Sequence, residues 1–122
     1  MSTSRSYVSS IILLSSILLC SGCSAMYTTS LQEAGSTYPS EISVFTGAER
    51  PLVFVRGYGD ETVTLKILRL ATGKYIFSET VYIPSGKTWA AFPQEQLPPG
   101  SYMAHLFVGG TLTRTCSFTI TE

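Results

Sequence analysis

The amino-acid sequence predicts an all-β fold, an antiparallel β-sandwich of about seven strands, and three observations carry that prediction. From Ile42 onward the chain is a succession of short runs rich in Val, Ile, Thr, Tyr and Phe, the residue types that suit a pleated, half-buried surface. No stretch of it holds helical spacing of apolar residues for more than a few positions. The runs are separated by clusters of Gly, Pro, Asp and Ser, the residues that supply turn geometry.

The runs cover 42–45, 52–58, 62–70, 75–83, 87–92, 101–108 and 111–121. Gly57-Tyr58-Gly59-Asp60 divides the second from the third, Ala71-Thr72-Gly73-Lys74 the third from the fourth, and Pro84-Ser85-Gly86 the fourth from the fifth. Gly109-Gly110 joins the last two runs as a tight hairpin, because two consecutive residues with positive φ suit the primed turns found there. In the penultimate run Tyr102, Ala104, Leu106 and Val108 share one face, with Met103, His105 and Phe107 opposite. The final run alternates most clearly. Leu112, Arg114, Cys116, Phe118 and Ile120 fall on one face, which is predicted to pack inward with Arg114 near an edge or paired. Six Ser and Thr residues fall on the other and read as a solvated strand face. Seven such strands read as an immunoglobulin-like sandwich, with a partly open barrel as the alternative.

The segment from Val63 to Lys74 followed by Leu97-Pro98-Pro99-Gly100-Ser101-Tyr102 resembles bacterial immunoglobulin-like and fibronectin-like extracellular modules. In those modules a strand ends in a Gly-containing hairpin and an L-P-x-G-x-Y segment opens the penultimate strand. The resemblance implies that Pro98 and Pro99 stiffen the loop, Gly100 permits the turn and Tyr102 enters the core or a corner. It speaks for fold and not for function.

The N-terminus supplies an address. Arg5 precedes an apolar run over 11–19 and then small residues, the pattern of a secretory signal peptide whose apolar part is too short to span about 30 Å of hydrocarbon. Leu19-Cys20-Ser21-Gly22-Cys23-Ser24 resembles the lipobox of bacterial lipoproteins, which implies cleavage before Cys23 and acylation of that cysteine. Cys20 stands where the family usually has Leu, and an ordinary signal peptide cut after Ala25 remains the alternative. Ser24 in place of Asp after the cysteine implies the outer membrane where the cell has one. Lipidation with two or more chains holds a protein on a membrane essentially permanently. The expected organisation is therefore a signal peptide over 1–22, a lipidated Cys23 with a flexible tether over 23–41, and the sandwich over 42–122. The tether reading rests on the Ser, Thr and Gly content of 24–41, and such a coil would span roughly 20–25 Å.

Composition narrows the function. Eight Lys and Arg stand against eight Asp and Glu, and removal of Arg5 leaves the mature chain at 7 − 8 = −1. No basic field exists to draw nucleic acid, which requires clustered cations. With Cys20 removed and Cys23 acylated, Cys116 is the last thiol, so the mature chain is expected to hold no intramolecular disulfide. His105 is the single histidine, and one histidine without carboxylate help makes neither a general base nor a metal site. Cys116, placed inward, reads as an inert buried thiol. Asp60-Glu61 are two oxygen donors where calcium takes about six to eight, and read as turn residues. No catalytic residue, metal or cofactor is expected, and the chain reads as a non-enzymatic module.

The aromatic residues remain. Tyr75, Tyr82 and Trp89 fall in or beside the central strands, and exposed rings in a row stack on sugars or anchor a protein partner. The leading expectation is an envelope lipoprotein, membrane-bound through Cys23, acting as a structural or protein-binding module within a larger envelope assembly. A carbohydrate-binding surface protein using Trp89, Tyr82 and Tyr75 is the alternative.

Overall fold

The computed structural model describes residues 24–31 and 39–122; the expected signal peptide and Cys23 lie outside the described residues. The described residues form eight strands: β1 (Ala25–Ser30), β2 (Val44–Phe45), β3 (Pro51–Arg56), β4 (Glu61–Arg69), β5 (Lys74–Ile83), β6 (Trp89–Ala91), β7 (Gly100–Val108) and β8 (Thr111–Ile120). They form a three-stranded sheet in the order β1-β3-β6 and a five-stranded sheet in the order β2-β8-β7-β4-β5. The two sheets are separate, so the fold is a β-sandwich and not a barrel. All pairings are antiparallel except β2 with β8, which is parallel.

Seven of the strands answer to the seven predicted runs, and β1 is a correction. The tether reading of 24–41 fails at Ala25–Ser30, which pairs along its whole length with β3, Ala25 opposite Arg56 and Ser30 opposite Pro51. Ser and Thr content suggested a solvated coil there, but Thr28, Thr29 and Ser30 are buried. Thr28 Oγ1 finds its partner in the Ile42 carbonyl at 2.6 Å, and the Ile42 amide donates to the Thr28 carbonyl at 2.8 Å. The strand is held inside by its ladder with β3 and by these two bonds of Thr28, while the Thr29 hydroxyl is buried without a hydrogen-bond partner.

The segment around Ile42 has a second function in the architecture. After meeting β1 it runs on as β2 beside β8, where the Thr119 amide donates to the Ser43 carbonyl and the Thr121 amide to the Phe45 carbonyl. One flank of the sandwich is thus laced from sheet to sheet. The other flank ends in the free edges of β5 and β6.

Between the sheets lies a single core built from the inward phase of each strand. Val63, Leu65 and Ile67 of β4, Tyr102, Ala104 and Leu106 of β7, and Phe118 and Ile120 of β8 face Val53 and Val55 of β3. Burial of each such side chain stabilises the fold by about 1.5–3 kcal/mol before entropy is counted. Phe118 lies flat on Tyr102, with ring centroids 5.3 Å apart, and meets Phe45 edge-on at 6.0 Å. Tyr102 is fully enclosed, yet its hydroxyl donates to the Pro98 carbonyl four residues upstream. The bond ties the loop ahead of β7 to a core side chain, which is the structural use of Leu97-Pro98-Pro99-Gly100-Ser101-Tyr102.

The turns follow the sequence. Gly109 and Gly110 both have positive φ, 59° and 85°, as the primed hairpin turn requires. One detail of β8 departs from prediction. The register shifts beside Phe107, which makes Thr113 an extra residue and sets Leu112 opposite Phe107 on the outward face. Leu112 is consequently half exposed, while Arg114, Cys116, Phe118 and Ile120 keep the inward phase. A β-bulge resets the side-chain alternation beyond it.

Candidate functional site: the outward face and free edge of the five-stranded sheet

β5 is the longest free edge of the described fold, ten residues from Lys74 to Ile83 with no strand on its far side. Unpaired backbone amides and carbonyls along such an edge are a template for another strand. Tyr75, Ile76 and Tyr82 of this strand are among its large exposed apolar side chains. A register shift at Ile67/Leu68 leaves Ile76 as an extra residue, so the regular part of the edge runs from Phe77 to Ile83. Thr80 hydroxyl and Thr64 hydroxyl share a hydrogen bond of 2.8 Å across the β4 and β5 pair.

The outward face beside this edge gathers four side chains that the sequence did not place together. Lys66 of β4 lies between Ser78 of β5 and His105 of β7. Tyr75 reaches over β4 so that its hydroxyl meets His105 Nδ1 at 2.9 Å, with the two rings edge-to-face at 5.7 Å. Lys66 Nζ stands 5.1 Å from the centre of the Tyr75 ring and 5.6 Å from that of Phe107. Cation–π contacts at exposed sites contribute about 0.5–1 kcal/mol each, so the pair holds the lysine stem against the sheet without removing its charge from solvent. His105 completes the group by meeting Phe107 edge-on at 6.4 Å. Alternation shows that Lys66 and His105 are outward; only the register of β4 against β7 shows that they are neighbours.

Tyr82 lies further along the edge and donates to Asp60 Oδ1 in the β3–β4 turn. That bond is the largest of the influences raising the Tyr82 phenol above its ordinary range, since the ionised phenol would lose the donor and face a carboxylate. Trp89 stands elsewhere. It opens β6 in the opposite sheet, opposite Val55, and packs half-buried against the core. The aromatic row Tyr75, Tyr82 and Trp89 is therefore not one surface: two rings are exposed on β5 and the third faces inward from the other sheet.

His105 and Cys116 sit on opposite faces of one sheet, because Ala104 pairs with Cys116 and His105 with Thr115. A nucleophile and its base require hydrogen-bond contact, which this placement denies. Burial pushes the Cys116 thiol up to about 11, with Glu41 adding to the shift, so the thiolate is scarce at neutral pH. Cys116 is free and partly buried. Asp60 adopts φ 71° in its turn and accepts from Tyr82, a structural use of the carboxylate. Among the described residues no three His, Cys, Asp or Glu side chains come together as metal ligands, and no helix is long and apolar enough to cross a membrane.

The leading end of the described chain is held firmly. Arg114 of β8 donates to Ser24 Oγ at 2.7 Å and to the Ser24 carbonyl at 3.0 Å, and its Nε donates to the Tyr58 hydroxyl at 2.8 Å. Gly57, with φ 86°, passes directly under Ser24, where a Cβ would come within 2.3 Å of the Ser24 Cα. Only glycine fits that crossing. The predicted edge or paired position of Arg114 thus takes a definite form, a guanidinium joining residues 56 and 90 positions away in the chain.

No protein-family model matches this chain, and no curated protein matches it at a significant level.

Proposed function

We propose that the protein is a lipid-anchored lipoprotein of the bacterial cell envelope, held through Cys23, whose sandwich is a non-catalytic structural or protein-binding module of a larger envelope assembly. The free edge of β5 carries the binding half of this reading. It offers an extended strand whose regular part carries the exposed ring of Tyr82 and is preceded by that of Tyr75, and main-chain pairing with pockets for alternate side chains is a general mode of peptide recognition. The sequence around Cys23 supports the address. The placement of His105 and Cys116 on opposite faces supports a module without catalysis.

The glycan reading retains Tyr75 and Tyr82 and loses Trp89, whose half-buried, inward position removes it as a stacking platform. Two rings separated along one edge are a weaker sugar platform than a contiguous row.

Two measurements test the proposal. Radiolabelled palmitate incorporated into the wild-type chain and absent from Cys23→Ser, together with loss of that variant from the membrane fraction, is the expected outcome for the anchor. A photo-activated cross-linking residue at Ser78 is expected to capture a defined envelope protein, while the same residue at Ser117, on the outward face of β8 three strands away from that edge, captures none. Equal capture from both positions, or none from Ser78, sinks the edge-binding reading.

A further inference from the structure

The eight strands run between two poles of the sandwich, and register assigns each turn to one of them. Ser24, the β3–β4 turn at Gly57 to Asp60, the loop at Pro84 to Thr88 and the Gly109-Gly110 hairpin share one pole. The turn at Ala71 to Gly73, the loop ahead of Tyr102 and the end of β8 share the other. β4 is nine residues long, which puts the poles about 30 Å apart.

Cys23 precedes Ser24 by a single peptide unit, a step of about 3.8 Å. Ser24 is not free to swing, because Arg114 binds both its carbonyl and its hydroxyl, Tyr58 braces Arg114, and Gly57 lies beneath. An anchor on residue 23 therefore leaves the fold at one fixed point. The same pole presents side chains suited to the headgroup layer. Leu112, turned outward by the bulge at Thr113, is 50% exposed, and Tyr82, the penultimate residue of β5, is 57% exposed. Apolar and amphipathic residues of this kind favour the boundary between water and acyl chains. Its charges are mixed, with Asp60 and Glu61 against Arg56, Lys87 and Arg114, so no strong repulsion from an anionic surface opposes the contact.

We infer that the Arg114–Ser24–Tyr58 clamp sets the orientation of the domain on its membrane, seating the pole of the β3–β4 turn and the β7–β8 hairpin against the lipid headgroups and presenting the Ala71–Gly73 pole outward. The inference rests on the lipid anchor at Cys23. It replaces a domain on a swinging tether with one held at the surface at a defined angle, and it leaves the β5 edge standing across the gap from the headgroups outward.

The experiment uses the full chain, processed in cells and reconstituted into vesicles of phosphatidylethanolamine with a minority of phosphatidylglycerol. In a Cys116→Ala background an environment-sensitive dye is attached at Lys87→Cys or at Thr72→Cys, and quenching by a headgroup-nitroxide lipid is measured. The expected result is quenching several-fold stronger at position 87 than at 72, with the ratio falling towards one when Arg114→Ala is added. Tyr58→Phe, which removes one of the three bonds, is expected to fall between, and unchanged thermal melting of both variants guards against general unfolding. Equal quenching at the two positions in palmitate-labelled protein overturns the orientation alone. A chain that takes up no palmitate overturns the anchor and the orientation with it. A ratio unmoved by Arg114→Ala overturns the clamp.

Discussion

The outward faces of the two sheets are used in opposite ways. In the three-stranded sheet the central strand β3 is buried from Pro51 to Val55 on both sides, and Phe54, outward in phase, is only 6% exposed. Tyr27 lies across it with ring centroids 5.4 Å apart, its hydroxyl tied to the Pro39 carbonyl at 2.7 Å. In the five-stranded sheet the strands alternate between core and solvent, and the outward side chains Lys66, Tyr75, His105 and Phe107 pack on one another at the surface. A sheet covered on both faces reads as a continuous apolar run, and a sheet open on one face reads as alternation. The small sheet is thus the enclosed layer of the molecule, and the large one is the layer that meets its surroundings.

The sharpest test of this contrast uses one residue type on the two outward faces. Phe54→Ala is expected to cost about 3–5 kcal/mol, the range for an enclosed phenylalanine, whereas Phe107→Ala is expected to cost about 1 kcal/mol, the scale of a cross-strand surface pair. Urea unfolding of the two variants measures both, and equal losses would break the comparison. Tyr102→Phe comes next. It keeps the stack on Phe118 and removes the bond to the Pro98 carbonyl, for an expected loss of about 1 kcal/mol on the same assay.

A smaller effect follows from Cys116. Its thiol is held in the neutral form by burial, so the folded state binds a proton more tightly than the unfolded one. That contribution is complete below the unfolded thiol value and is lost as pH rises towards about 11. Wild type is expected to lose stability more steeply than Cys116→Ala over this alkaline window, and the native thiol is expected to resist iodoacetamide at pH 8 until urea exposes it. Smallest of all is Tyr82→Phe on the exposed edge, expected to leave the urea midpoint unchanged while removing the high-pH phenol transition assigned to the Asp60 contact.

Much of the five-stranded sheet was legible in the residues themselves. Tyr102, Ala104 and Leu106 against Met103, His105 and Phe107 alternate without interruption, and glycines mark the hairpins on either side. β1 was not legible, because Thr28, Thr29 and Ser30 have the composition of a solvated coil and are buried by pairing with β3, with Thr28 also bonded to Ile42, 14 positions away. Leu112 was misread for a related reason. Alternation carries no mark of a bulge, and one extra residue at Thr113 reverses the face of what precedes it. The surface group failed to show for want of register. Lys66, Tyr75 and His105 lie in three different strands, and only the pairing of those strands brings them together. Arg114 was recognisable as a charge on an inward phase, but its partner Ser24 stood within the segment read as tether.

The parallel pairing of β2 with β8 has a consequence in time. Thr121 binds the Phe45 carbonyl across 76 positions of chain, so the strand that joins the two sheets cannot be fixed until the closing residues of β8 are present. Contacts of such long sequence separation slow folding, because loop closure must precede their reward. A chain emerging from its N-terminus can pair β1 with β3 early, yet it must keep β2 and the flank beside it unsettled until synthesis has passed Thr121. Completion of the sandwich is thereby coupled to the emergence of β8 and Thr121, and a copy truncated before β8 lacks the template that fastens one sheet to the other.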